Sequence, residues 1–449
     1  MISFKNLNYR KNPFKNSNFK NKIFRNNKFK KIGVLSIIFI FGSICFINIP
    51  ATSNASISQS VLSIAKGGTN ANNSESAQTN LGMIDNLSVL STNNNFPSSK
   101  AVYNTIENLS QGRFIAVGQN NLFSQCLESA NCTDAQNWST AEPLTDQTQI
   151  CSTYYGTTCL RDLIYAGGRF IAIGSGGIVT QCFDSADCGI ANSWKSAILG
   201  NNTGIIWDGI TFGQNLFVVV GNSGFMSSCS AELDCSDANS WTTPAKIGST
   251  SANYNDITFG NNQFVAVSVS GSISICKSNC QSTDSWSAAS TVPNNASINA
   301  ITHSNDRFVA GTTNMSITGC LYINDCSIGA NWSPLYQISG ASGDNLHAIV
   351  YGAGRFIAGG AGMKVSQCLE TNDCTLGQNW STFITLPAKS GYWLRSIYAK
   401  DTFIFTGFNG AITSCSATAD CSQISSWTTT TYVDGQPDRW LGLAYRKGI

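Results

Sequence analysis

Seventeen cysteines against two histidines pose the first chemical question of this 449-residue chain. Thiols in such number could ligate metal, exchange electrons or close disulfides. Zinc needs converging nitrogen or sulfur ligands, usually opened by closely spaced cysteines with further partners. The cysteines here come as pairs on separate repeats, and only His303 and His347 could join them. A redox site would show C-x-x-C, which is absent. Disulfides remain, and they pair neighbours: Cys126 with Cys132, Cys182 with Cys188, Cys229 with Cys235, Cys276 with Cys280, Cys320 with Cys326, Cys368 with Cys374 and Cys415 with Cys421. Cys151 and Cys159 make an eighth pair, and Cys45 stands apart near the N-terminus. By loop-closure entropy, a staple over roughly seven residues contributes on the order of 2.4 kcal/mol.

Arg161, Arg395 and Arg439 are the second group with chemistry in it. Each opens the first strand of a repeating unit, and if the end units are neighbours, three guanidinium groups converge beside a central channel. Arginine forks bind carboxylates in bidentate fashion. The plainer reading pairs them with Asp162, Asp434 or Asp438. The connections between units are rich in aromatics: Tyr154, Tyr155, Trp207, Tyr254, Tyr336, Tyr392, Trp393, Tyr432 and Trp440. Such residues mark contact sites when exposed and inter-unit packing when not. Arg161, Arg395, Arg439, Trp207, Tyr392, Trp393 and Trp440 are therefore the ligand-binding candidates. Arg113, Arg169, Arg307 and Arg355 recur at one place in the repeat and read as scaffold. His303 takes a slot held elsewhere by Tyr165, Phe212, Phe259, Tyr351 and Tyr398, so it reads as a substituted core aromatic. No catalytic residue, metal ligand or cofactor site is assigned. A Gly-rich phosphate loop, a G-x-S-x-G elbow and a credible histidine triad are all missing.

The elements that must position these groups come from an internal repeat. Seven copies carry Phe114, Phe170, Phe217, Phe264, Phe308, Phe356 and Phe403, spaced 44 to 56 residues apart. Twelve residues after each Phe comes a Cys, then a second Cys six residues on (four in the fourth copy), then a Trp six residues beyond that. Short β-branched and aromatic runs, punctuated by Gly and Asn, predict four strands per copy, with the Trp opening the fourth. This length and strand count predict an all-β, seven-bladed β-propeller with one intra-blade disulfide per blade. The segment from Trp440 to Tyr445 resembles the first strand of a unit, so the C-terminal strand is expected to close the ring onto blade one and leave no open edge. Residues 102–109 are the alternative donor.

Residues 1–31 carry ten basic and no acidic residues, and an apolar run over 32–50 precedes Ser53-Asn54-Ala55. That order predicts a secretory signal peptide, or else a retained anchor, over 1–55. A cleaved leader leaves no membrane span in the mature chain, places it in the periplasm, at the cell surface or outside, and fits the disulfides. Beyond residue 31 there are 17 basic against 25 acidic residues, which argues against a nucleic-acid partner.

The aromatic-Gly-x-x-Arg-Phe frame ending at a Trp resembles bacterial propeller repeats related to the sialidase-type Asp-box (BNR) family over residues 111–449. Ser or Thr stands two residues before each first Cys, and Asp or Asn precedes each second one, but the family's Gly is lost and the turn lengthened. The resemblance implies a propeller and raises a sialidase-like glycoside hydrolase, whose arginine triad would be Arg161, Arg395 and Arg439. Such an enzyme also needs a Tyr nucleophile with a carboxylate, for which Tyr392 or Tyr432 with Asp434 are the conceivable groups; the family's Arg-Ile-Pro motif is absent. Over 56–110, Ala65-Lys66-Gly67-Gly68-Thr69-Asn70 and Phe96-Pro97-Ser98-Ser99-Lys100 resemble phage tail-fibre segments. That implies a stalk and a homotrimer; the alternative is an Asn/Ser-rich linker. The function expected is a secreted or surface recognition module that binds a glycan or protein through its aromatic loop face. A sialidase-like hydrolase and a structural envelope protein are the alternatives.

Overall fold

The chain divides into two units, Met1–Leu81 and Gly82–Ile449. A computed structural model describes residues 111–144, 160–201, 204–248, 251–341, 344–435 and 439–448, together with a two-residue pairing of Phe39–Ile40 with Ser43–Ile44. Apart from that short pairing the leader lies outside the described residues, as do the tail-fibre-like segment and the Cys151–Cys159 pair.

The second unit is a ring of seven four-stranded antiparallel sheets. Six blades run consecutively along the chain. Blade one is composite: its innermost strand is the C-terminal Trp440–Arg446, paired with Arg113–Gly118, followed by Leu122–Leu127 and Glu142–Pro143. Closure by the C-terminal strand is therefore as the sequence predicts, and the slot open to residues 102–109 is filled.

The repeat offsets are the geometry of one blade. In all seven, the anchoring Phe stands directly opposite the first Cys across the second and third strands, for example Phe217 against Cys229 and Phe356 against Cys368. A disulfide then closes each hairpin loop. The Trp indole N–H donates to the carbonyl of the second Cys in every blade, at 2.8 to 3.3 Å, which fixes the six-residue offset. The hydroxyl two residues before the first Cys ties the third strand to the residue after the Trp, as Ser124 does to the Ser139 carbonyl at 2.6 Å. One expectation is corrected here. In blade two the fourth strand, Lys195–Ile198, follows Trp194 directly, but in the other six the Trp makes at most an isolated bridge to the first Cys and the strand proper starts about a turn later, as at Ala245–Lys246.

The second strands are apolar throughout because both faces of every blade are covered. Along Arg113–Gly118, Ile115 and Val117 pack against Leu163 and Phe170 of blade two, while Phe114 and Ala116 pack against Ile404 and Ile412 of blade seven. The core is accordingly seven layers, each lying between two blades. In six blades an aromatic on the first strand stacks on the anchoring Phe at 4.5 to 4.9 Å. His303 occupies that slot in blade five but sits 6.4 Å from Phe308, and Tyr322 makes the close contact at 4.8 Å instead.

The four frame arginines are fasteners between blades. Arg113 pairs with Asp187 of the next blade's cysteine loop. Arg169 donates to the Leu233 and Ala231 carbonyls at 2.6 and 2.5 Å. Arg307 reaches the Asn372 carbonyl at 2.9 Å, and Arg355 the Ala419 carbonyl at 2.7 Å. The disulfide loops of blades two, three, six and seven therefore do two jobs: each staples its own hairpin and presents a carboxylate or backbone carbonyls to the arginine of the blade before it.

Candidate functional site at the channel mouth

Antiparallel order puts the disulfide loops at one end of the ring. The turns between second and third strands, and the links into the next blade's first strand, lie at the other. All seven first strands carry a register shift near that second end. The extra residue is Arg161, Asp208, Asn255, Asn299, His347, Leu394 or Leu441. A bulge re-aims its side chain and frees it from the ladder. In five of the seven blades that residue is polar or charged, so a backbone device common to the ring gathers such groups at the channel mouth.

Two of the three candidate arginines come together there, on carboxylates. Arg395 Nε lies 3.5 Å from Asp162 Oδ1, and its Nη2 donates to the Arg161 carbonyl at 3.0 Å. Arg161 Nη1 pairs with Asp208 at 2.8 Å. Arg395 belongs to blade seven and its partners to blade two, so it crosses blade one. It can do so because blade one holds Gly442 at the corresponding position. A Cβ there would lie 2.7 Å from the Leu163 nitrogen and 2.8 Å from the Asp162 carbonyl carbon. Asp162 also accepts the Ile210 N–H at 3.1 Å, and Asp256 the Ile301 N–H at 2.8 Å, each tying its blade to the next.

The buried charges push on one another. Burial raises Asp162 and Asp208, opposed by Arg395 and by Arg161 respectively. Asp256 is pushed up to about 7, by burial first and then by the like charge of Asp162, with Arg395 only partly offsetting them. His347 is pushed down to about 4, by burial and then by Arg395 and Arg439. The two titrations oppose one another across the same window. The folded Asp256 holds its proton above the ordinary carboxylate range, so its contribution to stability is full at low pH and falls as pH rises from about 4 to about 7. The folded His347 resists protonation, so its contribution falls as pH drops from about 6.5 to about 4. Asp256→Asn should therefore gain relative to wild type on going from pH 4.5 to pH 8, and His347→Gln on going the other way, each by on the order of 2 kcal/mol. Chemical denaturation at the two pH values checks both; parallel pH profiles for variant and wild type would refute them.

Arg439 stands differently. It is exposed, its guanidinium carbon lies 4.6 Å from the centre of the Phe408 ring, and it bridges to Phe408 through the backbone. Phe408 packs against Tyr392 at 5.1 Å, and Tyr392 receives the edge of His347 at 5.5 Å. His347, Tyr392, Phe408 and Arg439 thus form a ladder across blades six, seven and one. Among the described residues no carboxylate lies within ion-pairing distance of Arg439. Asp434, one expected partner, is exposed, and Asp438 lies outside the described residues.

The aromatic candidates divide. Tyr392 is half-buried within the ladder. Trp207, Trp393 and Trp440 are each 0% exposed and wall the layers between blades, so they offer no surface to a ligand. The signal against them is internal. The same slot holds Leu160, Tyr254, Ile298 and Leu346 in the other blades, all with no exposed surface. His347 and Phe408 are the members of this ladder that the sequence reading did not single out as candidates. Phe408 is visible as a departure from the repeat, since its turn position carries Gln119, Ser175, Asn222, Val269, Thr313 and Ala361 elsewhere.

The nucleophile and base of a glycosidase are not assembled. Tyr432 accepts the Lys389 N–H at 2.6 Å. Neither Tyr392 nor Tyr432 hydrogen-bonds Asp434 among the described residues.

No family model and no curated protein matches the chain. Among solved structures it is similar to the WD40 repeats of RRP9, with 7% identity, 64% of this chain and 83% of that one covered, and a TM-score of 0.49. It is also similar to the WD40 β-propeller domain of Doa1, at 10% identity, 63% and 85% coverage and a TM-score of 0.45. YCF48 bound to D1 peptide matches at 16% identity, 57% and 77% coverage and a TM-score of 0.43. These likenesses are of propeller architecture alone.

Proposed function

We propose that this protein is a recognition module, exported from the cell, which holds a ligand at the channel mouth across blades six, seven and one. The observation that carries the reading is the ladder of His347, Tyr392, Phe408 and Arg439. It places an exposed cation and half-buried rings on a stapled, closed ring. Rigid scaffolds that present variable loops are where binding concentrates. Export agrees with the disulfide density, since such bonds persist in oxidising compartments.

A sialidase-like activity is the weaker reading. Its arginines must be open to a substrate carboxylate, whereas Arg161 and Arg395 already hold Asp208 and Asp162. A fluorogenic sialoside should show no turnover by the full chain; turnover lost in Arg395→Ala would reverse that judgement. For recognition, the full chain is screened on immobilised glycans and peptides beside the Arg439→Ala/Phe408→Ala double variant. Binders should lose at least tenfold in affinity at unchanged melting temperature. Binders indifferent to both changes would move the ligand site off the mouth.

A further inference from the structure

We propose that the ladder reads a carboxylate side chain of an acidic peptide segment, gripped by the guanidinium edge of Arg439. This rests on the reading of the mouth as a recognition surface and names its ligand class. Arg161 and Arg395 show what an arginine at this mouth does when a carboxylate is in reach: each takes one, at 2.8 and 3.5 Å. Arg439 instead lies over Phe408. Contact through the flat face of a guanidinium leaves its N–H edges for a planar acceptor, and a carboxylate matches that fork. The ring beneath holds the side chain in place, so less rotamer freedom is lost when the anion arrives.

The ladder also disfavours a sugar. Saccharide recognition by aromatics needs a free ring face. Here Arg439 lies over Phe408, Tyr392 packs tilted at 39° against the same ring, and His347 stands nearly perpendicular to Tyr392 at 5.5 Å. Trp393 and Trp440, which open the first strands of blades seven and one, are fully buried. What the site presents outward is hydrogen-bonding charge. That charge is local, since the chain beyond residue 31 carries 17 basic against 25 acidic residues. An acidic segment is repelled by most of the surface and accepted at the mouth, which gives register as well as attraction. Phe408 has no aromatic counterpart in any of the six other blades at its turn position, so folding a blade does not require it.

The test is selection from a random dodecapeptide library by the full chain, followed by fluorescence anisotropy on the recovered peptides. Asp or Glu should be enriched at one position, and its replacement by Asn or Gln should weaken binding at least tenfold. Arg439→Gln should abolish that difference, Arg439→Lys restore part of it, and Phe408→Ser (a residue type blade two carries at this place) weaken it at unchanged melting temperature. Peptides whose binding needs Phe408 but shows no acidic preference would overturn the inference and leave the recognition reading standing. A sialylated oligosaccharide bound in an Arg439-dependent way, with no acidic peptide recovered, would do the same. Recovery of no peptide or sugar sensitive to either residue would sink both.

Discussion

A chain that stops at residue 439 should lose the cooperative unfolding of the ring altogether, because the missing strand is shared by two core layers. Trp440–Arg446 supplies the innermost strand of blade one, paired along Arg113–Gly118. Trp440 and Leu443 fill the layer toward blade seven, and Ala444 the layer toward blade two. Trp440 and Arg446 have no exposed surface. Emptying a buried Trp site alone costs about 3–5 kcal/mol, and a whole domain is stable by only about 5–15 kcal/mol. Removing the strand also leaves the inner backbone groups of Arg113–Gly118 without partners in an apolar setting, a further cost per group. Differential scanning calorimetry should show no sharp transition, and trypsin should cut the truncated ring rapidly. Gly442→Val is the point version. Its side chain would meet backbone on the neighbouring blade, which cannot move aside as a flexible side chain can. A truncated chain that melts like wild type would mean that residues 102–109 can take the vacant slot.

The propeller and its stapling were legible in the sequence because each rests on a short-range offset repeated in every copy. Twelve residues from Phe to Cys is one hairpin read across its strands, and six from Cys to Trp is one indole hydrogen bond. Such offsets do not depend on how blades sit against each other. The mouth depends on little else. Arg395 finds Asp162 in a blade two places round the ring, across a glycine whose meaning is only its lack of a Cβ. Asp208 and Asp256 matter through burial and mutual charge, which no spacing encodes. Trp207, Trp393 and Trp440 look like loop aromatics by sequence, yet their slot is apolar in every blade, so comparison of copies at one position would have placed them in the core. The same comparison isolates Phe408.

Reduction of the seven described disulfides should unfold the ring, and in blades two, three, six and seven the loss from a single disulfide should depend on the arginine of the preceding blade. Each staple contributes on the order of 2.4 kcal/mol through loop entropy, so seven together exceed the usual stability of a domain. All fourteen sulfurs lie in residues 6% exposed or less, so reductant should act only when the blades open, at a rate that rises with denaturant. Opening Cys368–Cys374 by a double change to Ala should cost more than its loop entropy. The freed loop no longer holds the Asn372 carbonyl and Asp373 carboxylate where Arg307 reaches them, at 2.9 and 3.3 Å. Arg307→Ala made in that background should therefore cost less than it does in wild type, with a coupling on the order of 1 kcal/mol. The same Arg307→Ala combined with loss of Cys229–Cys235, whose loop meets Arg169 instead, should be additive. Urea denaturation of the four corners of each cycle separates the outcomes. Additivity in both would reduce the cysteine loops to staples of their own blades, and strong coupling in both would mean that the ring transmits strain well beyond neighbouring blades.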